Sequence, residues 1–116
     1  NDFTTGDRVA YDITPLGSYS EVRNYPADKL LSMPENLDDE TVAALLMKHM
    51  TAHYLLHRTY PVQSGDTVLV HAAAGGMGLI LCQWAKALEA TVVGTVSTSE
   101  KAEVARAAGC HYPVGA

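Results

Sequence analysis

The spacing of apolar residues changes character along the chain. In the second half, two short apolar runs, Val68–Val70 and Thr91–Val96, flank a stretch where Met77, Leu81, Trp84 and Leu88 recur at helical spacing, with Gln83 and Lys86 on its other sides. The turn Ser64-Gly65-Asp66-Thr67 launches the first run. This pattern predicts strand, helix, strand and a further helix, with the first three within about thirty residues. The first half is less regular. Arg8–Tyr11 and Tyr19–Val22 read as short strands joined by a turn at Thr14-Pro15-Leu16-Gly17, and Pro26 and Pro34 punctuate a strand-like connection. Asp38 is placed to cap a helix, with Leu37 stapled onto Val42 and with Asp39 and Glu40 complementing the helix dipole. Val42, Leu45, Leu46 and Met50 form the stripe expected to be buried, and a second helix carries Ala52–Arg58 towards Tyr60-Pro61.

The chemistry concentrates between the first apolar run and its helix, at His71-Ala72-Ala73-Ala74-Gly75-Gly76-Met77-Gly78. Against the pattern G-x-G-x-x-G the match is Ala73-x-Gly75-x-x-Gly78, with alanine at the first glycine position. Glycines let main chain approach a ligand, and the first turn of a helix offers unpaired N–H groups to an anion. The expected ligand is the pyrophosphate of a dinucleotide. A glycine turn that only packs a helix onto a sheet is the competing reading; a P-loop is disfavoured because no Gly-Lys-Ser/Thr closes the turn. An NAD site usually places an acid beyond the second strand to hold the ribose 2′-hydroxyl. Here Ser97-Thr98-Ser99 stands at that point, with Lys101 close by, which leaves room and charge for a 2′-phosphate. NADPH is therefore the expected cofactor. Glu100 is the alternative ribose ligand, favouring NADH, if the strand ends later.

Several runs carry a family resemblance in the same order: Gly6-Asp7-Arg8-Val9-Ala10-Tyr11, Gly17-Ser18-Tyr19-Ser20-Glu21-Val22, Lys48-His49-Met50-Thr51-Ala52, His71 to Gly78, Cys82-Gln83-Trp84-Ala85-Lys86-Ala87-Leu88 and Gly94-Thr95-Val96. Together they resemble the NADPH-dependent quinone oxidoreductases (zeta-crystallin-like) of the medium-chain dehydrogenase/reductase superfamily, over nearly the whole chain. The resemblance implies an α/β fold in an internal fragment of a longer enzyme. Residues 1–36 would be the remnant of a GroES-like catalytic barrel, 37–62 linking helices, and 63–116 the first half (βαβα) of an NADPH-binding Rossmann domain.

The implied activity is hydride transfer from NADPH to a quinone or related conjugated carbonyl, in a parent that is a homodimer; the fragment alone is expected to be inactive. An enoyl or alkenal reductase, or a non-catalytic NADPH-binding protein of crystallin type, are the alternatives. The residues implied are Ala73, Ala74, Gly75, Gly76 and Met77 for the pyrophosphate, Ser97 and Lys101 for the 2′-phosphate, and Thr51 for the nicotinamide side. No catalytic acid is assigned; Lys48, His53 and Tyr54 are candidates by position alone. Zinc-dependent members use a cysteine just before the nucleotide domain, whereas Met47-Lys48 stand there, so zinc is not expected. The chain departs from the family at His49, where glycine is common, and at Glu89, where the helix usually ends in glycine and a left-handed cap would cost roughly 1 kcal/mol. It also has Ala116 near the place of an aromatic residue or histidine beside the adenosine ribose.

Composition narrows the rest. With 116 residues, 47% of them hydrophobic and 18% charged, one modest core is possible. A net charge of −5 argues against a nucleic-acid groove or an anionic membrane surface. No signal peptide, bilayer-length apolar run or internal repeat is evident, so a cytoplasmic piece is expected. Cys82 and Cys110 lie too far apart in sequence for a metal or redox motif and read as small buried thiols. His49, His53 and His57, four residues apart, would form a row on one continuous helix that can hold a divalent ion. No glutamate completes an H-E-x-x-H pattern, and a partly exposed histidine face is the expectation.

Overall fold

The computed structural model describes residues 3–12 and 14–115. It opens with β1 (Val9–Ala10) and β2 (Leu31–Ser32), which pair antiparallel with Val9 opposite Ser32 and Ala10 opposite Leu31. The strand expected at Arg8–Tyr11 is thus reduced to two residues, and its partner comes from the connection between Pro26 and Pro34. The strand expected at Tyr19–Val22 does not form: the segment is a series of bends, with Tyr19 and Val22 almost fully exposed. Alternation alone does not make a strand when no neighbour supplies ladder hydrogen bonds.

Helix α1 spans Asp39–Tyr54 and continues without a break into a wider turn, Leu55–Thr59, so the two expected helices are one. Its start is capped as read: the Asp38 carboxylate accepts from the Thr41 N–H at 2.7 Å and from the Thr41 hydroxyl at 3.0 Å. Arg8 bonds both Asp39 and the Leu37 carbonyl, tying β1 to this helix entry. The expected buried stripe is only half realised. Val42 and Leu46 are half-buried, Leu45 and Met50 are exposed, and Ala52 is the residue of α1 that is buried. The chain divides into two compact units within this helix, Asn1–Met47 and Lys48–Ala116.

The second unit contains β3 (Thr67–Val70), α2 (Gly76–Ala87), β4 (Thr91–Thr95), α3 (Ser99–Ala107) and β5 (Tyr112–Val114). The three strands are parallel in the order β3-β4-β5, with Val70 beside Gly94 and Thr95 beside Val114. This is one strand more than the βαβα expected. Tyr112-Pro113-Val114 is short and carries a proline, which a sheet tolerates on an edge strand.

On α2 the buried positions are Gly78, Ile80, Cys82 and Ala85, whereas Met77, Leu81, Trp84 and Leu88 are half-buried. The small residues face the sheet because close approach of helix to strand leaves no room for larger ones. A Cβ on Gly78 would overlap the Ala72 carbonyl oxygen and lie 2.7 Å from the Ala73 carbonyl carbon. Val92 and Cys82 are the largest fully buried side chains of the core, which also holds Val70, Ala73, Ala85, Ala105 and Cys110.

Both helices end in the same way. At α2, Glu89 N–H bonds the Lys86 carbonyl and Ala90 N–H the Ala85 carbonyl; at α3, Gly109 and Cys110 repeat this onto Arg106 and Ala105. Each is a Schellman closure, whose left-handed residue is Glu89 (φ +61°) in the first case and Gly109 (φ +106°) in the second. Among the described residues no helix is long and apolar enough to cross a membrane.

Candidate functional site

Where β3 ends, the chain turns sharply to enter α2. Ala72 adopts a left-handed conformation (φ +51°), and its N–H is held at 3.0 Å by the Thr95 hydroxyl of β4. The next N–H, of Ala73, bonds the Thr95 carbonyl at 2.9 Å, and Gly75 N–H closes the turn onto Ala72 at 2.8 Å. The turn is thus pinned to the neighbouring strand through two consecutive backbone N–H groups, one on the Thr95 hydroxyl and one on its carbonyl, with His71 Nδ1 3.4 Å from the same hydroxyl. Ala73 is fully buried. Its side chain fills the space left by Gly94, where a Cβ would come within 2.5 Å of Ala73 Cβ and 2.6 Å of Cys110 Sγ.

Gly75 is the N-cap of α2 in extended backbone, so Gly76 and Met77 open the helix. These first N–H groups lack intrahelical partners by construction, and the helix dipole adds positive potential there. Gly75 is tight against the Ala72 carbonyl, with an added Cβ at 3.1 Å. The glycines therefore make room in two senses: Gly78 seats α2 on the sheet, and Gly75 and Gly76 keep Cβ atoms off the Ala72 carbonyl and the Lys48 side chain at its mouth.

Beside this mouth is a cavity of about 370 Å3 lined by Ala72, Ala74, Gly75, Thr95, Val96, Ser97 and Lys101. Lys101 Nζ donates to Ser97 Oγ at 3.0 Å across the end of β4. The Thr98 hydroxyl caps α3 by accepting from the Lys101 N–H at 3.2 Å. Glu100 is engaged at the same helix start. Its own backbone N–H and the Thr98 hydroxyl hold its carboxyl below the usual carboxylate range, so its charge serves the N-terminus of α3.

The structure thus brings Ala74, Gly75, Ser97 and Lys101 around one cavity, with Gly76 and Met77 at the adjoining helix start. Ala73 is tied into the sheet behind them. Thr51 is exposed on α1 and is not among the residues lining this cavity. The position at Ala116 lies outside the described residues. Tyr54 is exposed.

His49, His53 and His57 do share one continuous helical run, and their rings gather around Trp84 of α2, with centroids 6.4, 5.9 and 5.5 Å from the indole. His53 and His57 are 4.8 Å apart. Among the described residues no three His, Cys, Asp or Glu side chains are grouped to hold a metal ion. Cys82 and Cys110, remote in sequence, are both buried, and burial and the neighbouring Cys110 push the Cys82 thiol up to about 11.

Known proteins resemble this chain in sequence and fold. No protein-family model matches the chain. A 2-haloacrylate reductase from a Burkholderia species is 57% identical over 115 residues, which are 97% of this chain and 34% of that protein. Quinone oxidoreductase 1 of Escherichia coli is 50% identical over 104 residues, 90% of this chain and 32% of the relative. The chain thus spans about a third of the length of the curated relatives it matches. Among solved structures, that of a 2-haloacrylate reductase superposes with a TM-score of 0.91 at 57% identity, over 97% of this chain and 36% of the other. The E. coli quinone oxidoreductase complexed with NADPH gives 0.92 at 45% identity, over 99% and 35%. By sequence and by fold, the chain is similar to about a third of a 2-haloacrylate reductase and of quinone oxidoreductases.

Proposed function

We propose that the chain supplies the cofactor cradle of a longer NADPH-dependent reductase, which passes a hydride to a quinone or a related conjugated carbonyl without zinc. The observation that carries this reading is the Lys101–Ser97 pair at the end of β4, beside an exposed glycine turn at the start of α2. In the reading, the turn Ala73–Met77 receives the diphosphate: Ala73 anchors it to β4, and the N–H groups at the start of α2 face the anion. Ser97 and Lys101 hold the 2′-phosphate through a hydroxyl and an ammonium, and Thr51 serves the nicotinamide side. The cofactor, when bound, supplies the hydride. The protein's part is to orient the nicotinamide against the acceptor and to exclude water.

The substrate class rests on the relatives. A quinone and a 2-haloacrylate share an electron-poor carbon–carbon double bond conjugated to a carbonyl or carboxyl carbon. Zinc independence rests on Met47-Lys48 standing where zinc-dependent members resemble one another in using cysteine. The parent is read as a cytoplasmic homodimer, and the isolated segment as inactive.

Calorimetric titration with NADPH and NADH, on this chain and on the full-length protein, tests the reading. The expected outcome is preference for NADPH, reduced roughly tenfold or more in Lys101→Ala, as befits loss of a charge-assisted hydrogen bond. A preference for NADH would shift the ribose contact to Glu100. Binding without turnover of quinones or 2-haloacrylates in the full-length protein would favour a non-catalytic NADPH-binding role.

A further inference from the structure

Gly76 raises a question that the glycine pattern does not answer. Its φ is not positive, and its absent Cβ faces neither the sheet nor the turn. A Cβ there would meet the side chain of Lys48, at 3.2 Å from Cε and 3.6 Å from Cδ. Lys48 comes from α1, twenty-eight positions earlier, is half-buried, and lies in the same compact unit as the turn. Its aliphatic stem therefore runs across the first residue of α2, in the space that glycine leaves, and its ammonium is one bond beyond the atom in contact.

Cations are favoured near the C-terminal ends of helices, and near an N-terminus a lysine adds positive charge to the positive end of the dipole. An anion at that mouth meets the lysine and the start of the helix together. The other lysine of the site, Lys101, is held by Ser97 at the far side of the cavity.

We propose that Lys48 is a cofactor-binding residue for the diphosphate bridge, and that Gly76 is glycine so that the Lys48 stem can lie across the mouth of α2. The proposal rests on the cofactor reading above and divides the two lysines by role. Lys101 reads the 2′-phosphate, which distinguishes NADPH from NADH; Lys48 reads the diphosphate, which both cofactors carry. It also removes Lys48 from the candidates for proton donor to the substrate.

The test uses the full-length protein with Lys48→Met, which keeps the apolar stem and removes the charge, Lys48→Arg, which restores a cation, and Lys101→Ala. Dissociation constants for NADPH and NADH are measured over a range of salt concentrations, with thermal unfolding as a check on folding. Lys48→Met is expected to weaken both cofactors by roughly tenfold and equally, leaving their ratio unchanged, with a shallower salt dependence and partial recovery in Lys48→Arg. Lys101→Ala is expected to weaken NADPH alone. Unchanged affinities in Lys48→Met would overturn the proposal, as would a loss confined to NADPH or a fall in turnover at constant affinity. Wild-type protein that binds neither cofactor would instead refute the underlying cofactor reading.

Discussion

Glu89 and Gly109 perform the same task at the ends of two neighbouring helices, and only one of them has the residue suited to it. Both close a Schellman pair of hydrogen bonds with positive φ. A side chain in that conformation costs about 1 kcal/mol, so Glu89→Gly should stabilise the chain by roughly that amount, seen as a higher urea midpoint at unchanged slope. The reciprocal change is worse than its backbone cost, because a Cβ on Gly109 would stand 2.9 Å from Lys86 Cδ and 3.2 Å from the Cys82 carbonyl oxygen. A third glycine answers to packing alone. Gly94→Ala drives a methyl into Ala73 and Cys110 at the base of the cofactor turn, and overpacking of this kind costs about 1–3 kcal/mol. Equal stability of the Gly94→Ala and wild-type chains in the same denaturation experiment would mean that the base of the turn yields freely.

At the scale of elements, helix starts were the most legible features because they are local. Asp38 was readable as a cap, and the structure places its carboxylate on the Thr41 N–H and hydroxyl, which hold it below its ordinary value of 3.8. A carboxylate with a depressed folded-state value stabilises above the unfolded value and loses that contribution as pH falls through the folded one. Asp38→Asn should therefore abolish the part of the acid-induced loss of stability that this cap contributes, read by comparing unfolding at neutral pH and near pH 3. The βαβ pattern and the glycine turn were legible for the same reason. Features that depend on distant partners were not. Tyr19–Val22 alternates like a strand but has no ladder to join, and β5 is short and interrupted by Pro113. The contacts of Lys48 with Gly76 and of three histidines with Trp84 join segments far apart in sequence. The proximity of the free thiols Cys82 and Cys110 has the same origin, and its consequence is chemical. Burial raises the Cys82 thiol from 9.0 to about 11, so any stability tied to its neutral form is complete below pH 9 and lost as pH rises towards 11. Alkylation of folded protein followed by mass spectrometry should find Cys82 protected at neutral pH; rapid labelling there would contradict its burial.

Among the described residues the parallel sheet has no neighbouring strand at either edge. Its order β3-β4-β5 reproduces the first half of the doubly wound order 3-2-1-4-5-6, in which the fourth strand pairs beside the first. The outer edge of β3 is where that strand belongs, and among the described residues no strand occupies it. The two edges differ in kind. At β5, Pro113 removes one N–H and blunts the edge, whereas β3 reads Thr67-Val68-Leu69-Val70, without proline or charge, and Leu69 is 58% exposed. An uncharged, largely apolar edge of this sort is a template for another chain. The isolated 116-residue chain should accordingly associate with itself as concentration rises. Leu69→Lys, at a position already open to solvent, should return it to a monomer with little change in unfolding, because a charge on an edge strand opposes pairing without disturbing the core. Sedimentation velocity across a concentration series checks both expectations. A wild-type chain that stays monomeric throughout would show that the β3 edge is protected in isolation. Association that persists in Leu69→Lys would place the contact elsewhere.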